Sequence, residues 1–307
     1  MNTSPAPFDA IVVGGGPAGL SAALSLGRSR RRVLVAAAGL TRNAPADAAH
    51  NVFTRDGTPP AELVRIGREQ LAPYDVIVRE EWAVNAERTD DGFAVTFEGG
   101  DRLVSRGVVL ATGVRDVLPD VPGLAALWGR GVFHCPYCHG WEVAGRRLAV
   151  YARGLDRERT LHLCRLIRGW SDDVVLFTDG PAHLSAEDRA RVERKGIVVR
   201  EERIERVVGS GGDIEAVVLE GGEAVPRGGL ILSPDQVLRS DLAGRLGCPL
   251  TADGRVEAEL GGRTAVPGVF VAGDIVPGAQ SVVSAMASGT LAGATLNHHL
   301  LEEEFER

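Results

Sequence analysis

Short apolar runs rich in β-branched residues alternate along the chain with glycine-rich turns and with segments whose apolar residues recur at helical spacing. The first such series is an apolar run at residues 8–13, a glycine turn at 14–19 and a helical pattern at 20–26. Alternating strands and helices are typical of an α/β fold with parallel sheets. The pattern therefore predicts an α/β protein in which ligands bind at the turns between strands and helices.

The first glycine turn has the spacing Gly14-x-Gly16-x-x-Gly19, with Pro17 and Ala18 between the last two glycines. Glycines at this spacing let the backbone turn tightly and approach a pyrophosphate, and the following helix presents its N-terminal amides to the negative charge. A plain glycine-rich turn is the alternative, but the strand before it and the helix after it are the context that the motif requires. These five residues are therefore predicted to bind a dinucleotide.

The next predicted strand, residues 33–35, departs from the usual dinucleotide-binding pattern. An acidic residue at its end normally holds the ribose hydroxyls, whereas this chain has three alanines at residues 36–38. Arg42 and Asn43 lie just beyond these alanines, and both are predicted to contact the same nucleotide.

A second strand-turn-helix unit begins at residues 147–151 but has a different turn. It keeps one glycine, Gly154, among bulky and charged residues, and a backbone that carries Cβ atoms does not approach a pyrophosphate closely. After the strand at 174–177 comes Asp179 instead of a basic cluster for a 2′-phosphate. NADPH binding is therefore disfavoured, and Asp179 leaves NADH as an alternative.

Two of the four cysteines form the motif Cys135-x-x-Cys138, and the other two stand alone in the sequence. Such a motif is a metal half-site, a redox pair or a coincidence. Zinc normally takes four ligands from two such pairs, so no metal is expected, although His134 and His139 beside the motif keep zinc as an alternative. The motif predicts a redox-active pair.

Two further apolar strands end in small residues, one in Thr112 and Gly113 and the other in Gly273 and Asp274. Each could be an ordinary parallel strand. Together with the first glycine turn and in this order, they resemble the FAD half of flavoproteins that contain two dinucleotide-binding domains.

This resemblance implies an α/β fold with two Rossmann-like domains. The FAD-binding domain would comprise residues 1–117 and 243–307. A smaller domain of the pyridine-nucleotide type, residues 118–242, would be inserted between these parts and would carry the cysteine pair.

The whole chain resembles the low-molecular-weight thioredoxin reductase family. The matching features are the first glycine turn, the cysteine pair in the inserted domain, and the Gly-Asp strand end followed by Gln280-Ser281. The resemblance implies that Cys138 faces the flavin of a bound FAD and that Cys135 meets the substrate.

The resemblance also implies further contacts with the cofactor. Asp274 would bond the ribityl hydroxyls, and Asn51 would lie near the flavin. Gln280 and Ser281 would open a helix whose N-terminal amides face the pyrimidine side of the flavin.

His139 follows the pair where the family usually has Asp. This change and the lost glycines of the second turn resemble the branch of flavin-dependent dithiol oxidases that close disulfides in gliotoxin, holomycin and related natural products. The predicted function is therefore FAD-dependent oxidation of a small-molecule dithiol, with dioxygen as the acceptor and hydrogen peroxide as the product. His139, and secondarily His134, are predicted to move thiol protons.

Two alternatives remain at this point. One is a reductase that acts on a thioredoxin-like protein or a small disulfide, with electrons from NADH, a ferredoxin or another flavoprotein. The other is a redox-sensing module that signals through a partner without turnover. Family members are usually homodimers, so a homodimer is expected in either case.

The charge and hydropathy of the chain argue against several other classes of protein. The formal net charge of -7 and the absence of a basic cluster beside aromatic residues speak against nucleic-acid binding. The start shows no basic segment followed by an apolar stretch, so a cytoplasmic location is expected. Residues 275–296 carry no charge but are interrupted by proline, glutamine and glycines, which favours a buried helix near the cofactor over a membrane span.

Overall fold

The computed structural model of the chain describes residues 7–306. They form two compact units. The first unit contains the described residues up to Ala44, Thr58–Arg115 and those from Gln236 onward, and the second contains Pro45–Gly57 and Asp116–Asp235.

The elements are numbered in chain order. The strands are β1 (Phe8–Val13), β2 (Val33–Ala36), β3 (Ile77–Arg79), β4 (Ala83–Thr89), β5 (Gly92–Phe97), β6 (Arg102–Leu110), β7 (Val114–Val117), β8 (Val132–Phe133), β9 (Leu148–Tyr151), β10 (Val174–Phe177), β11 (Ile197–Arg200), β12 (Ile204–Ser210), β13 (Asp213–Leu219), β14 (Ala224–Pro226), β15 (Gly229–Leu232), β16 (Asp235–Leu238) and β17 (Val269–Val271). The α-helices are α1 (Pro17–Arg28), α2 (Pro60–Glu69), α3 (Pro136–His139), α4 (Arg157–Ile167), α5 (Ala186–Arg194), α6 (Leu242–Arg245) and α7 (Val282–Glu306). Short 3-10 turns occupy Ala72–Tyr74, Ala125–Leu127 and Gly273–Ile275.

The first unit is built on a seven-stranded sheet with the order β3-β2-β1-β6-β5-β4, in which β17 also pairs with β6. Strands β1, β2, β3, β6 and β17 run parallel, and β4 and β5 extend the sheet antiparallel. Val13, Leu110 and Val271 are side by side at the carboxyl ends of β1, β6 and β17. The turns that follow these three strands therefore lie at one edge of the sheet.

Helices α1 and α7 pack closely against each other because α7 carries glycines where the two helices meet. A Cβ atom at Gly289 would clash with the backbone of Ala18, and one at Gly293 would come within 3.0 Å of the Ser25 Cβ. Leu296 of α7 is fully buried. The predicted buried helix is thus present from Val282, although residues 276–281 precede it as loop.

The second unit contains a five-stranded parallel sheet with the order β11-β10-β9-β15-β8 and a three-stranded antiparallel sheet, β12-β13-β14. Strands β9, β10 and β15 are buried along their whole length. Strand β8 runs directly into the cysteine motif. Strands β7 and β16, through which the chain passes from one unit to the other, pair with each other.

The observed division differs from the predicted one in three places. The boundaries lie at 115/116 and 235/236, a few residues before the predicted 117/118 and 242/243, because Leu242 of α6 belongs to the core of the first unit. Residues 45–57 group with the second unit. They are held there by the ion pair between Asp47 and Arg130 at 2.7 Å.

Among the described residues, no helix combines the length and the apolar character needed to cross a membrane.

A cluster of ion pairs fixes the C-terminal end of α7 to the first unit. Glu304 pairs with Arg31 at 2.6 Å and with Arg106, which also reaches Glu303 at 3.1 Å. The hydrogen bonds from Arg31 and Arg106 lower the pKa of Glu304 from 4.5 to about 2. A carboxyl with a depressed pKa stabilises the folded state above its unfolded pKa, and this contribution is lost as the pH falls toward its folded pKa.

We therefore expect Glu304→Gln to lower the melting temperature at neutral pH by about 1–3 °C. The difference from wild type should shrink below pH 4.5 and vanish near pH 2. Thermal unfolding followed by circular dichroism across this pH range measures both effects. Glu306→Gln removes a carboxylate from the same helix that forms no ion pair in the described part of the chain, and an equal effect of both variants would contradict the assignment.

Candidate active site

The first glycine turn forms an open cradle at the end of β1. Gly14 has a φ of +126°, and a Cβ atom there would clash with the carbonyl oxygen of Ala111. A Cβ atom at Gly19 would clash with the carbonyl oxygen of Gly14. At Gly16, in contrast, the nearest atom to an added Cβ is the Thr41 Cγ2 at 3.7 Å. The chain itself needs Gly14 and Gly19, whereas Gly16 leaves space for a ligand.

Helix α1 begins in this cradle with its first amides available. Its N-cap is Gly16, no side chain caps it, and its first turn, which includes Pro17 and Ala18, carries no acidic residue. An uncapped helix N-terminus preceded by close-packed glycines suits a pyrophosphate. The residues present therefore fit the FAD that the sequence predicts.

Three of the predicted cofactor-binding side chains lie together in the first unit. The Arg42 guanidinium pairs with the Asp274 carboxylate at 2.8 Å and donates a hydrogen bond to the Gln280 Oε1 at 2.8 Å. Asn43 follows Arg42 in the same turn. The positive charge of Arg42 thus offsets the negative charge of Asp274 where the ribityl chain is expected.

The remaining predicted residues of this unit occupy the other strand ends. Gly113 has a φ of +68° in the segment after β6 that begins with Ala111 and Thr112. Gly273 has a φ of +80° and donates its N–H to the Ser288 Oγ at 2.7 Å. Ser281 caps α7, because its Oγ accepts the N–H of Ser284 at 3.1 Å. All of these turns follow β1, β6 or β17, so one sheet edge carries them.

Two residues of this neighbourhood were missed from the sequence. The Gln236 and Gln280 side-chain amides exchange two hydrogen bonds, at 3.0 and 2.8 Å. The buried Arg255 donates to the carbonyl oxygen of Asp274 at 3.0 Å and to the side chain of Gln236. Neither residue belongs to a motif, so no local signal identifies them.

The cysteine motif lies in the second unit, directly after β8. Cys135 and Cys138 form a disulfide with their Cα atoms 5.3 Å apart. Cys135 is the N-cap of α3, and its carbonyl oxygen accepts the N–H groups of Cys138 and His139 at 3.1 Å each. A single turn of helix, α3, therefore begins within the motif.

The two predicted histidines flank the disulfide and stack on aromatic rings. His139 stacks on Phe133 with 5.7 Å between the ring centroids, and His134 stacks on Trp128 at 5.8 Å. Burial lowers the pKa of His139, and the nearby His50 lowers it further. Neither ring nitrogen of His139 reaches solvent. The backbone of Gly129 and the charge of Glu142 oppose the effect of burial, but the net direction of the pKa shift is downward. His139 is thus a neutral imidazole beside the cysteines at neutral pH.

A third histidine near the motif was also missed. His50 lies between two carboxylates: its Nδ1 is 3.5 Å from Asp56 and its Nε2 is 3.4 Å from Glu142. Asn51, which was expected near the flavin, lies in the second unit and donates its N–H to Asp56 at 2.5 Å. The segment 45–57 therefore contributes to the surroundings of the cysteine pair.

The second strand-turn-helix unit differs in charge from the first. The N-cap of α4 is Asp156, whose carboxylate accepts the N–H of Arg159 at 2.8 Å. The Asp179 side chain is buried and accepts hydrogen bonds from the Tyr151 hydroxyl at 3.0 Å and the Ile204 N–H at 2.8 Å. Acidic side chains therefore occupy both positions at which a nucleotide would need a cationic or free group.

The other two cysteines, Cys164 and Cys248, are buried and unpaired. Burial raises the pKa of Cys164 to about 12, so it stays a thiol. No group of three or more His, Cys, Asp or Glu side chains within residues 7–306 is arranged to hold a metal ion.

Comparisons with known proteins show that the chain is similar to disulfide oxidoreductases along most of its length. The pyridine nucleotide-disulphide oxidoreductase family model matches residues 8–158 and 170–289. The chain is 34% identical to thioredoxin reductase sirT of Leptosphaeria maculans over 98% of its own length and 97% of that protein. It is 35% identical to thioredoxin reductase tcpT of Claviceps purpurea, covering 96% of this chain and 95% of the relative.

Solved structures extend the similarity to the whole fold. The crystal structure of HlmI is similar with a TM-score of 0.92 and 38% identity, covering 99% of this chain and 96% of that one. A thioredoxin reductase TrxB from Bacillus anthracis, described as putative, has a TM-score of 0.92 and 30% identity, covering 97% and 99%. The predicted α/β class with two dinucleotide-binding-type domains and the predicted FAD cofactor are confirmed. The chain therefore belongs to the pyridine nucleotide-disulphide oxidoreductase family and is a thioredoxin reductase-like, FAD-dependent thiol/disulfide oxidoreductase.

Proposed function

We propose that this enzyme oxidises a small-molecule dithiol to a disulfide through Cys135 and Cys138, with dioxygen as the final electron acceptor. The observation that carries the proposal is the closed second nucleotide turn, in which Asp156 caps helix α4. With no cradle for a nicotinamide cofactor, electrons enter through sulfur. The alternative direction, reduction of a disulfide, needs an electron donor that docks elsewhere.

The turn before helix α1 can be compared directly with the turn before helix α4. Helix α1 leaves its N-terminal amides uncapped and has no acid in its first turn. In helix α4, the Asp156 carboxylate accepts the N–H of Arg159, and the first turn also carries Glu158. A pyrophosphate at α4 would have to displace the Asp156 carboxylate from this amide, and two anions cannot share the same N–H group without repelling each other. Dinucleotide binding is therefore supported at α1 and disfavoured at α4.

The position that would hold an NADH ribose is also occupied. Besides Tyr151 and Ile204, Asp179 pairs with Arg153 at 3.2 Å. Burial and Asp179 raise the pKa of Tyr151 to about 12, so the hydroxyl stays protonated and donates. A ribose that took over Asp179 would leave this buried hydroxyl unpaired, at a cost of about 1–3 kcal/mol.

The thiol chemistry needs two exchange steps. A substrate thiolate attacks the Cys135 Sγ, the Cys135–Cys138 bond breaks, and Cys138 leaves as a thiolate. The second substrate thiol then attacks the substrate sulfur of the mixed disulfide, so that Cys135 leaves and the product departs as a disulfide. The pair now holds two electrons. Bound FAD supplies the two-electron acceptor that restores the disulfide, and dioxygen with two protons ends the sequence as hydrogen peroxide.

His139 is the proposed base for these steps, and His134 is the second candidate. Because burial lowers the pKa of His139, its imidazole is neutral at neutral pH and can accept a proton from a thiol. A neutral imidazole carries a proton on one ring nitrogen, so the other nitrogen accepts the proton of the thiol.

Two exposed aromatic side chains support a small, partly apolar substrate. Tyr137, within the motif, and Trp141, just after α3, are 64% and 84% exposed. Aromatic side chains beside a reactive group commonly line the binding site of a small molecule. The similarity to HlmI over almost the whole chain and the His after the pair further support the dithiol oxidase branch. The homodimer stays a prediction.

Oxygen consumption by the FAD-loaded enzyme tests the proposal. We expect dithiothreitol alone to drive oxygen uptake and to yield one hydrogen peroxide per dithiol oxidised. NADPH and NADH, each added without dithiol, should leave the flavin oxidised, because the second turn does not accept them. Rapid flavin reduction by either nucleotide would overturn the proposal and favour the reductase. Absence of oxygen uptake with dithiol would exclude the oxidase.

A further inference from the structure

Five residues of the first unit, the Arg255 network, form a closed series of hydrogen bonds. Arg255 donates to the carbonyl oxygen of Asp274 at 3.0 Å and to the side-chain oxygen of Gln236. The Gln236 and Gln280 amides bond to each other at 3.0 and 2.8 Å. The Arg42 guanidinium closes the series, because it donates to Gln280 and to the Asp274 carboxylate at 2.8 Å each. Asp274 and Gln280 are thus held on one side by Arg42 and on the other by Arg255 and Gln236.

The Arg255 network contains more positive than negative charge. Its members include two guanidinium groups, those of Arg42 and Arg255, and one carboxylate, that of Asp274. Arg255 is only 8% exposed, and within residues 7–306 its guanidinium donates hydrogen bonds to neutral oxygen atoms. Asp253 also interacts electrostatically with Arg255, but its carboxylate is exposed and bonded to the Thr251 hydroxyl, where water screens its charge. A buried charge without an ion-pair partner is unfavourable, so an anionic ligand beside the network would compensate for Arg255.

The Arg255 network adjoins the glycine cradle at two points. Arg42 follows Thr41, whose Cγ2 lies 3.7 Å from the position of a Cβ atom added to Gly16. The aspartate of the network follows Gly273, and a Cβ atom added to Gly273 would come within 2.9 Å of the Ala18 Cβ at the start of α1. The network and its excess positive charge therefore lie beside the cradle that fits FAD.

We propose that Arg255 is a positioning residue that holds Asp274 and Gln280 in place for FAD, and that its charge raises the reduction potential of the bound cofactor. Reduction adds two electrons to FAD, and a fixed positive charge nearby stabilises the more negative, reduced state. Because Arg255 is buried, water screens its charge less than that of a surface arginine. A higher potential favours electron transfer from the reduced cysteine pair to FAD, which is the direction that dithiol oxidation requires.

This role rests on the FAD contacts proposed for Asp274 and Gln280, so it is tested without any step of the proposed reaction. The FAD-loaded enzyme, with FAD in excess, is reduced stepwise by dithionite without oxygen and in the presence of a redox dye of known potential. The absorbances of flavin and dye at equilibrium give the midpoint potential of the bound flavin. No dithiol, nicotinamide cofactor or dioxygen takes part, so the measurement has the same meaning whether the enzyme is an oxidase or a reductase.

We expect Arg255→Met and Gln236→Glu each to shift the equilibrium toward oxidised FAD about tenfold, which corresponds to a potential lower by about 30 mV. Both variants leave equal numbers of positive and negative groups in the network, the first by removing a guanidinium and the second by adding a carboxylate. Gln236→Glu keeps Arg255 and the oxygen that it bonds, so it tests the charge even if Arg255→Met folds poorly. Arg255→Lys keeps the positive charge, and its equilibrium should stay within about threefold of wild type.

Arg263→Met is the matched control. It removes one positive charge from the segment between α6 and β17 that also carries Arg255. The Arg263 guanidinium lies over the Phe270 ring, 5.7 Å from the ring centroid, and is not a member of the network. We expect its flavin potential to equal that of wild type. A wild-type potential in Arg255→Met or Gln236→Glu, an equal loss in Arg255→Lys and Arg255→Met, or an equal shift in Arg263→Met would each overturn the role of Arg255.

Discussion

Cys138→Ser is expected to abolish the reduction of bound FAD by dithiols. In the proposed reaction Cys138 is the sulfur that carries electrons from the substrate side of the pair to the flavin. Serine occupies nearly the same volume but cannot form a disulfide or act as a thiolate. Mixing the FAD-loaded variant with dithiothreitol without oxygen and following the flavin absorbance should show a rate lower by about a thousandfold or more.

Cys164→Ala provides the control for this experiment. Cys164 lies in helix α4, is buried, and keeps its thiol protonated because burial raises its pKa to about 12. Its replacement by a small apolar residue should leave thiol-driven flavin reduction unchanged. Cys138→Ser should also retain a reactive Cys135, which an aryl disulfide reagent would convert to one stable mixed disulfide per chain. Unchanged flavin reduction in Cys138→Ser would remove this cysteine from the electron path.

The sequence identifies most readily the residues whose local structure is set by their immediate neighbours. Gly14 and Gly19 are required by contacts within a single strand-turn-helix unit, and such a unit is visible as a local pattern. The parallel sheet then brings the ends of β1, β6 and β17 to one edge. The fold, the cradle and the cofactor could therefore be predicted from three short motifs and their order.

The residues that were missed depend on contacts between distant parts of the chain. The His50 Nε2 lies 3.4 Å from the Glu142 carboxylate although the two residues are 92 positions apart in the sequence. Only the packing of segment 45–57 on the rest of the second unit brings them together. Asn51, which was expected near the flavin, belongs to the same segment. Hydrophobic periodicity carries no information on where a polar loop docks.

The role of Asp156 could be predicted only in part from the sequence. Its carboxylate caps α4, and an Asp before a helical pattern is a recognised start signal. Counting the missing glycines of the second turn indicated that the cradle was lost. The cap adds a physical cause, since the negative charge of Asp156 is held at the Arg159 N–H, one of the first amides of α4.

Gly16→Ala is expected to separate cofactor binding from folding, because Gly16 differs from its neighbours in the cradle. Its φ of -84° and ψ of -177° are accessible to any residue, and an added Cβ would meet only the Thr41 Cγ2 at 3.7 Å. Without FAD the variant should be as stable as wild type or slightly more so, since alanine restricts the unfolded chain. FAD affinity should nevertheless fall about a hundredfold, which corresponds to about 2.7 kcal/mol.

Two other glycine variants serve as controls for Gly16→Ala. Gly244→Ala places a methyl group on helix α6 with nothing within 4 Å. Its stability should equal or slightly exceed that of wild type, because alanine restricts the unfolded chain here as well, and its FAD affinity should stay at the wild-type value. Gly19→Ala should destabilise the protein even without FAD, because its Cβ would clash with the Gly14 carbonyl oxygen. Fluorescence quenching of FAD titrated into apo-protein and thermal unfolding of the same samples measure the two properties separately. If Gly16→Ala bound FAD as wild type does, the space over Gly16 would not be where the pyrophosphate lies, and the cradle would have to be assigned to other amides of α1.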